Sequence, residues 1–590
     1  MTAHRGEPGR RVGITLLAIA IVLTLFAGRM VQLQGMESGY YKTLANQEKR
    51  STVALPAERG FIYAANGQIL AMTVETYTVT ADPPLIPPGQ LASVAAQAAG
   101  PLEMTAAQVL TLLQHPSSPQ YVLLKKGVSA RGEATLAALN LPGIYFQGNF
   151  ARAYPNGTAT ANVVGLTHGD ADTGVISGYS GLELTDNSLL TGTTGRQQVE
   201  IGLDGEQIPL AGTEDTPAKN GQSIKLTIIP ALQYEAQQAC EQEVAKTKAD
   251  NCSVVVEQPK TGAILAMAQW PNNGDGTNIA DQNLFAPGST AKVITAAAAF
   301  EKGGRTPMNS YNIPYQIYRG GQFIHDAEWS PGEKYTIAGI IANSSNIGMS
   351  QVAESISPQT QYQYLRNFGL GEPTGLNLLG EEPSASYAPL ALPPVSKWPG
   401  DERYNLSFGQ GISVNAVQMA SVYATIANGG VRVQPTLVAG SYDAAGQYTA
   451  AKAGSSKRVI QPKTAKELIS ILQQVPAVDD QANQRWGDIG GYAIAAKTGT
   501  SSEPAPDGQK PCPKSNPLCI HGSSYIGMAP GNGPQVVVAV NVQNPKSKTD
   551  YFGDMVAGPV FYSVMNFALQ TLQIQPQPGL KAPYVRLNAR

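Results

Sequence analysis

A serine and a lysine three residues apart stand at the start of a long apolar stretch. Ser289 and Lys292 lie in the segment 285–292, and the residues that follow, to Phe300, are almost all Ala, Val, Ile and Thr, which predicts a buried helix. Three residues make about one helical turn, so we expect the Lys292 amine beside the Ser289 hydroxyl, close enough to take its proton. The amino terminus of a helix would also stabilise an oxyanion there. The pair therefore predicts a nucleophilic serine with a lysine base.

Two further short motifs follow this pair along the chain. Alone, Ser-x-x-Lys arises by chance in a chain of 590 residues, usually as a helix-capping serine with a solvated lysine. The second motif is Ser344–Asn346, and the third is Lys497–Thr500, at the end of a predicted strand. Each alone is more often a loop, a cap or a turn. In this order they match the Ser-x-x-Lys, Ser-Asp-Asn and Lys-Thr-Gly set of penicillin-reactive serine enzymes, with Ser345 at the middle position of the second motif.

In these motifs, and over most of its length, the chain resembles the class B penicillin-binding proteins, the single-pass peptidoglycan D,D-transpeptidases. Further segments that resemble the family are 262–267, 409–411 and 424–430, and nearer the amino terminus 58–62, 66–67, 70–71, 152–155 and 181–183. Two features depart from the family pattern. Ala64 and Ala65 stand where the family usually has an acidic and then a basic residue, and the loop after Thr500 is long and carries Cys512 and Cys519.

The resemblance implies the fold and the roles of the site residues. It implies an α+β chain in which one transmembrane helix and an irregular α+β pedestal precede a penicillin-binding, serine β-lactamase-like transpeptidase domain with an antiparallel sheet and a helical subdomain. The expected substrates are peptidoglycan stem peptides, and β-lactam antibiotics are the expected inhibitors. The residues expected to act in catalysis are Ser289, Lys292, Ser344, Asn346 and Lys497, and those expected to bind substrate are Thr498, Gly499 and Thr500.

The amino-terminal sequence predicts a membrane anchor. Basic residues in segment 1–11 precede an apolar run over 12–33, which is long enough to span a bilayer. The excess of basic residues before the run places 1–11 in the cytoplasm and the remainder outside the cell membrane. A cleaved signal peptide is the alternative, although no small-x-small cleavage site follows the apolar core.

The elements that must position the motifs fall into two regions. The resemblance implies that residues 34–220 are a pedestal of the dimerisation type, 221–575 the transpeptidase domain and 576–590 a tail. Periodicity and turn residues predict helices at 91–99 and 106–115 in the pedestal, with short strands between turns. In the transpeptidase domain we expect a strand at 223–229, a helix from Pro230, a hairpin across 258–261 and a closing helix over 554–572. Strands from both ends of the domain are expected to share one antiparallel sheet.

Composition excludes several other classes of protein and site. Lys and Arg number 41 against 43 Asp and Glu, so no positive surplus exists to bind nucleic acid. The five histidines follow no metal-binding spacing, so neither a metal nor another cofactor is expected. The four cysteines fit an oxidising compartment, and the local pairs Cys240–Cys252 and Cys512–Cys519 are the simplest of three connectivities.

Two rival functions remain open from sequence. The segment Glu372–Asn377 approaches the Glu-x-x-Leu-Asn motif of class A β-lactamases but has one residue too many, which leaves hydrolysis of β-lactams as an alternative. A penicillin-binding sensor or a scaffold is the other alternative. The resemblance also implies as partners a membrane glycan polymerase and other division or elongation proteins. The acceptor amine and the choice between septal and lateral wall synthesis are not set by the sequence.

Overall fold

The computed structural model describes residues 8–36, 39, 50–169, 174–201, 207–209, 216–327, 332–378, 392–478, 489–503, 520–546, 551–577 and 582–589. These divide into two compact units, one from the described residues of 1–57 and 193–219, the other from those of 58–192 and 220–590. Cys512 and Cys519, and the disulfide expected between them, lie outside the described residues.

The first unit contains the apolar helix and a small sheet. The helix runs over Pro8–Val31 and continues as a π-helical turn over Gln32–Met36. Its stretch Val12–Met36 is long and apolar enough to cross a membrane, in agreement with the expected anchor. The strands Arg50–Leu55, Gly195–Ile201 and Gln207–Pro209 form an antiparallel three-stranded sheet.

The second unit begins with a mixed seven-stranded sheet that joins both halves of the chain. Its strands, in spatial order, are Tyr448–Ala450, Val438–Tyr442, Ser223–Leu226, Ile62–Tyr63, Ile69–Ala81 and Val122–Ser129, with Ile144–Ala153 also paired to Ile69–Ala81. Thus the strand predicted over 223–229 ends at Leu226. The 13-residue strand Ile69–Ala81 is longer than the short strands that the sequence predicts, because it has pairing partners from two different segments.

Helices and a buried ion cluster complete the pedestal region. Leu91–Ala99 is helical as predicted, Ala106–Gln114 starts at a capping box on Thr105, and Ala130–Ala138 is a further helix that the sequence analysis missed. Shorter helices cover Pro83–Leu85, Gly157–Thr160, Ala161–Val164, Gly181–Thr185 and Asn187–Leu190, and Thr167–Gly169 pairs with Ile176–Gly178.

The buried ion cluster joins three of the segments that resemble the family. Glu183 accepts from Arg59 Nε at 2.6 Å and from Arg152 Nε at 2.7 Å, and all three side chains are shielded from solvent. Ala64, one of the two departures from the family pattern, is fully buried in the adjoining core. An apolar residue therefore suits that position in this chain.

An antiparallel five-stranded sheet forms the centre of the second unit. Its strands, in spatial order, are Ala263–Trp270, Asn251–Gln258, Val536–Gln543, Ile520–Ala529 and Ala495–Glu503. The hairpin turn at 258–261 and the sharing of strands from both ends agree with the sequence analysis. The helices Pro230–Thr247 and Gly553–Thr571 share one apolar core with the sheet, and the helix Ala416–Ala427 shares another. The disulfide Cys240–Cys252 joins the helix Pro230–Thr247 to its neighbouring strand.

Helices and small hairpins between the sheet strands complete this unit. The helices are Ile279–Gln282, Lys292–Lys302, Ile337–Ala342, Asn346–Ala353, Pro358–Asn367, Glu402–Ser407 and Pro462–Leu472, with a 3₁₀ turn at Val395–Lys397. The paired strands are Ser310–Asn312 with Lys334–Thr336, Ile317–Arg319 with Gln322–Ile324, and Val431–Val433 with Ser456–Arg458. Residues 582–589 of the expected tail return to this region, where Thr336 donates its N–H to the Leu587 carbonyl at 2.9 Å.

Candidate active site

Ser289 lies in a tight turn rather than inside an α-helix. Gly288–Ala291 is a 3₁₀ turn, and the α-helix begins only at Lys292, whose backbone N–H donates to the Ser289 carbonyl. Gly288 has a φ of +54°, a left-handed conformation that glycine adopts without steric cost. Thr290 Oγ1 closes the turn by donating to the Pro287 carbonyl at 2.7 Å. The helix start predicted at Ser289 is therefore shifted by three residues.

Two neighbouring segments hold this turn in place. Gly288 donates its N–H to the Gly409 carbonyl at 2.9 Å, and a Cβ built on Gly409 would lie 2.0 Å from the Gly288 carbonyl oxygen. From the opposite helix, the buried Tyr423 donates its hydroxyl to the Thr290 carbonyl at 3.0 Å. In the sequence, 409–411 is recognisable only as a family-like segment, and Tyr423 belongs to no motif.

The Lys292 amine is fully buried and is directed at the second motif. Its Nζ donates to the Ser344 carbonyl at 2.5 Å and lies 3.3 Å from the Ser344 hydroxyl. In the part of the chain that the structure describes, both hydrogen bonds of the amine go to Ser344. Among the described residues no hydrogen bond joins this amine to the Ser289 hydroxyl, although the two residues lie about one turn apart as predicted.

The surroundings of Lys292 favour its neutral form. Burial lowers the pKa of Lys292 well below that of an ordinary lysine, and the positive charge of Lys497 lowers it further. The negative charge of Asp326 acts in the opposite direction and raises it. A neutral amine is the form that can accept a proton from a serine hydroxyl.

The second motif begins with a residue in an unusual conformation. Ser344 has a φ of +57°, in the left-handed region that a non-glycine residue adopts at some energetic cost. Its backbone nitrogen donates to the Ile341 carbonyl at 3.2 Å, which ties the motif to the preceding helix. Such strain is common at functional sites, where it aims particular groups. Here both the carbonyl and the hydroxyl of Ser344 face the Lys292 amine.

A carboxylate that the sequence analysis did not single out binds the rest of the motif. Asp326 accepts hydrogen bonds from the Ser345 hydroxyl at 2.6 Å and from the backbone N–H of Asn346 at 2.6 Å. The buried Ser345 also caps the helix Asn346–Ala353. Asp326 precedes the motif by about 20 residues and belongs to no recognisable pattern, so no sequence signal could have identified it.

The third motif lies within a strand, not at its end. The strand Ala495–Glu503 pairs with Ile520–Ala529 along its whole length, which corrects the predicted end near Lys497. Successive side-chain positions along a strand point to opposite faces of the sheet, so position 499 lies on the face opposite to Thr498 and Thr500. A Cβ on Gly499 would lie 2.8 Å from the Pro287 carbonyl oxygen, so the glycine lets the strand approach the Ser289 turn closely.

The side chains of Lys497 and Thr500 in this motif both form hydrogen bonds with neighbouring backbone groups. Lys497 is fully buried, and its Nζ donates to the Thr498 carbonyl at 3.1 Å. Thr498 and Thr500 are partly exposed. Thr500 Oγ1 accepts the N–H of Gly553 at 3.1 Å, so the first residue of the closing helix fixes its hydroxyl. The structure therefore brings the Ser289 turn, Lys292, the second motif and the third motif together.

The β-lactamase-like segment has a different environment. The Glu372 carboxylate forms an ion pair with Arg366, and its side chain is 41% exposed. Its backbone carbonyl accepts from Gln418 at 2.7 Å. No group of three His, Cys, Asp or Glu residues that could hold a metal occurs within the described ranges.

Family models match both halves of the chain. The penicillin-binding protein transpeptidase domain matches residues 252–566, and the penicillin-binding protein dimerisation domain matches residues 54–226. The fold and the three motifs thus define a serine acyl-transfer domain of the penicillin-binding type that follows a dimerisation domain.

Individual relatives are similar to this chain over nearly its whole length. Penicillin-binding protein PbpB of Mycolicibacterium smegmatis is 30% identical, over 95% of this chain and 91% of that protein. Peptidoglycan D,D-transpeptidase FtsI of Escherichia coli K12 is 28% identical, over 96% of this chain and 91% of that protein. The crystal structure of penicillin-binding protein 3 from Mycobacterium tuberculosis with ampicillin has a TM-score of 0.68 at 26% identity, covering 91% of this chain and 100% of that one. This chain belongs to the class B penicillin-binding proteins, of the cell-division type.

Proposed function

We propose that this protein is a peptidoglycan D,D-transpeptidase that cross-links stem peptides through an acyl-enzyme on Ser289. The observation that carries the proposal is the fully buried Lys292 amine, one turn from Ser289 and hydrogen-bonded to Ser344. Burial keeps this amine neutral at a pH where an exposed lysine is charged. The names of the relatives, which include D,D-transpeptidases, support the same chemistry.

The first half of the proposed reaction acylates Ser289. Ser289 Oγ attacks the carbonyl of a D-alanyl-D-alanine terminus, and its proton passes to neutral Lys292. The backbone N–H groups of Ser289 and Thr500 hold the resulting oxyanion. The intermediate collapses when its C–N bond breaks, and the proton held by Lys292 returns through the Ser344 hydroxyl to the departing D-alanine nitrogen.

The second half of the reaction forms the cross-link. An amine of a neighbouring stem peptide attacks the acyl-enzyme carbonyl, loses a proton to Lys292 and forms a new amide. The ester bond breaks, and Ser289 Oγ recovers its proton. In this account Asn346 binds the substrate amide, while Lys497, Thr498 and Thr500 hold the terminal carboxylate of the donor, with Gly499 allowing the strand to approach.

The environment of Glu372 supports a transpeptidase in preference to a β-lactamase. A base that activates water for deacylation must face the acyl group, whereas this carboxylate is paired with Arg366 and partly exposed. We therefore expect β-lactams to acylate Ser289 and to remain attached. Turnover of a chromogenic cephalosporin at about 10 per second, typical of enzymes, together with its loss in Glu372→Gln, would instead identify a β-lactamase.

The proposal extends to the arrangement of the chain in the cell. Residues 1–11 would lie in the cytoplasm, the helix within 12–33 would anchor the chain, and the pedestal 34–220 and transpeptidase domain 221–575, with the tail 576–590, would lie outside the membrane. A membrane glycan polymerase and other division or elongation proteins are the proposed partners. The dimerisation-type region and the apolar helix support this arrangement.

Turnover of a synthetic donor tests the function directly. The full-length chain in detergent is incubated with a stem peptide ending in D-alanyl-D-alanine and with an acceptor amine, and released D-alanine and cross-linked product are measured. Wild type should form both, Ser289→Ala should form neither, and Ser470→Ala, which changes a partly exposed serine elsewhere, should match wild type. Undiminished product from Ser289→Ala would refute the proposal.

A further inference from the structure

We propose that Asp326 is a positioning residue for the reaction: it fixes the second motif against the Lys292 amine. The inference rests on the proposed acylation of Ser289 but concerns a residue outside the three motifs. Asp326 lies two residues beyond the strand Gln322–Ile324, in a segment that packs against the start of the helix Asn346–Ala353.

Both oxygens of the Asp326 carboxylate are engaged by the second motif. Oδ2 accepts the Ser345 hydroxyl at 2.6 Å, and Oδ1 accepts the backbone N–H groups of Asn346 at 2.6 Å and Ile347 at 2.9 Å. Ser345 Oγ in turn accepts the N–H of Gly348 at 2.9 Å. One side chain thus satisfies two helix N–H groups directly and orients the hydroxyl that caps a third.

The same carboxylate compensates for the middle residue of the motif. Related enzymes have aspartate at this position of Ser-Asp-Asn, whereas this chain has Ser345. The Ser345 hydroxyl donates to a carboxylate that comes from another segment, so a negative charge is again bound at the motif. Its removal would leave the Ser345 hydroxyl and two N–H groups without their acceptor.

Asp326 affects the Lys292 amine through the position of Ser344. Asp326 holds Ser345 and Asn346, the residues directly after Ser344, and Ser344 is kept in a left-handed conformation with its carbonyl and hydroxyl on the Lys292 amine. A shift of the helix start would therefore move the acceptors of that amine. Displacements of about 1 Å in a reacting group can cost about 100-fold in rate.

Asp326 also acts on Lys292 through space. Two charged groups act on the amine: Lys497 from the strand Ala495–Glu503, and Asp326 from the segment that follows the strand Gln322–Ile324. Tyr423 approaches the turn from the helix Ala416–Ala427 but is neutral, because burial raises its pKa. Asp326 raises the pKa of Lys292, so removal of its charge lowers that pKa and moves the acid limb of the acylation rate to lower pH.

The test measures the second-order acylation rate of the full-length chain with a fluorescent penicillin, from about pH 5 to pH 10. For Asp326→Asn we expect a rate about 10- to 100-fold below wild type and an acid limb at lower pH than in wild type. Ser345→Ala, which retains the carboxylate, should lower the rate and leave the limb unchanged. Glu354→Gln removes an exposed carboxylate paired with Arg319 and should match wild type in both.

Asp326→Glu keeps the experiment decisive if Asp326→Asn does not fold. It retains the charge but displaces the oxygens, so the rate should fall while the acid limb stays at the wild-type pH. Folding is checked by the thermal unfolding transition of each variant. A wild-type rate and limb in Asp326→Asn, or a wild-type rate in Asp326→Glu, would overturn the inference. Absence of labelling in the wild type would count against the proposed function itself.

Discussion

The base assigned to this site is the Lys292 amine, which is shielded from water. Lys292 is fully buried, so its charged form lacks hydration, and Lys497 adds a second positive charge nearby. Both effects favour the neutral amine, and the hydrogen bonds to Ser344 orient it. Proton transfer by a positioned base contributes about 10²- to 10⁴-fold to a reaction rate, which is the order of loss expected for Lys292→Ala.

We predict that removal of the Lys497 charge moves the pH profile of acylation upward. In Lys497→Gln the pKa of Lys292 should rise, since one of the influences that lower it is gone. The amine then loses its proton only at higher pH, so the acid limb of the penicillin acylation rate shifts to higher pH and the rate itself falls. Stopped-flow acylation across the pH range measures both quantities. An unchanged or lowered limb would contradict this electrostatic account of Lys292.

Individual site residues were predictable from the sequence only where they belong to a motif. Ser289, Lys292 and the two later motifs could be named because their order along the chain has a known chemical meaning. Asp326 and Tyr423 act through a single side chain that arrives from a different segment, and such tertiary contacts leave no local pattern. The acceptor of the Lys292 amine was also not predictable, because it depends on the backbone conformation of Ser344.

At the scale of elements, the site depends on close contacts between backbones. The Ser289 turn lies against the strand Ala495–Glu503 on one side and against Gly409 on another. Glycines at 288, 409 and 499 occupy the positions where a side chain would collide with a neighbouring carbonyl oxygen. These contacts leave the nucleophile turn little freedom to shift.

We predict that Gly409→Ala impairs acylation far more than another glycine substitution of similar backbone strain. Its Cβ would lie 2.0 Å from the Gly288 carbonyl oxygen, so the Ser289 turn must move, and a loss of about 100-fold in the penicillin acylation rate is expected. Gly446 also has a positive φ but has open space at its Cβ position. Gly446→Ala should cost about 1–3 kcal/mol of stability and leave the rate unchanged. Equal rates for the two variants would contradict the role given to Gly409.

Elements with strong local sequence signals lie close to their predicted positions. The extents of elements that pair with distant segments were not predicted. The helices Leu91–Ala99 and Gly553–Thr571 and the hairpin at 258–261 follow from periodicity, capping and turn residues. The length of Ile69–Ala81 and the extension of Ala495–Glu503 depend on pairing with strands far away in sequence. The return of residues 582–589 onto Thr336 likewise depends on a tertiary partner.

Across the second unit, the pedestal region and the transpeptidase region share one core and one sheet. Asn162 of the pedestal donates to the Met267 carbonyl at 2.7 Å on the central sheet, and the seven-stranded sheet takes strands from both regions.

Glu257 is fully buried inside this unit, and one of its carboxyl oxygens has no hydrogen-bond partner among the described residues. Burial raises its pKa to about 8, although the positive charge of Arg432 opposes the shift.

We predict that the contribution of Glu257 to the stability of this unit is lost as the pH rises toward 8. The folded chain keeps a proton on Glu257 up to about pH 8, whereas the unfolded chain releases it near 4.5. Unfolding is therefore favoured increasingly between these values, by up to about 5 kcal/mol. In Glu257→Gln this contribution to the pH dependence should be absent, while Glu103→Gln, which removes an exposed carboxylate, should follow wild type. Thermal unfolding at several pH values measures it, and parallel curves for wild type and Glu257→Gln would contradict the assignment.

At the scale of the whole molecule, the proposed activity requires that Ser289 becomes acylated. The most direct measurement is peptide mapping by mass spectrometry of the full-length chain after reaction with a penicillin, with Ser289→Ala treated in parallel. We predict one penicilloyl adduct, on the Oγ of Ser289, and no adduct in the variant, whose thermal unfolding should remain that of wild type. An adduct on any other residue, or labelling of Ser289→Ala at the wild-type level, would contradict the account.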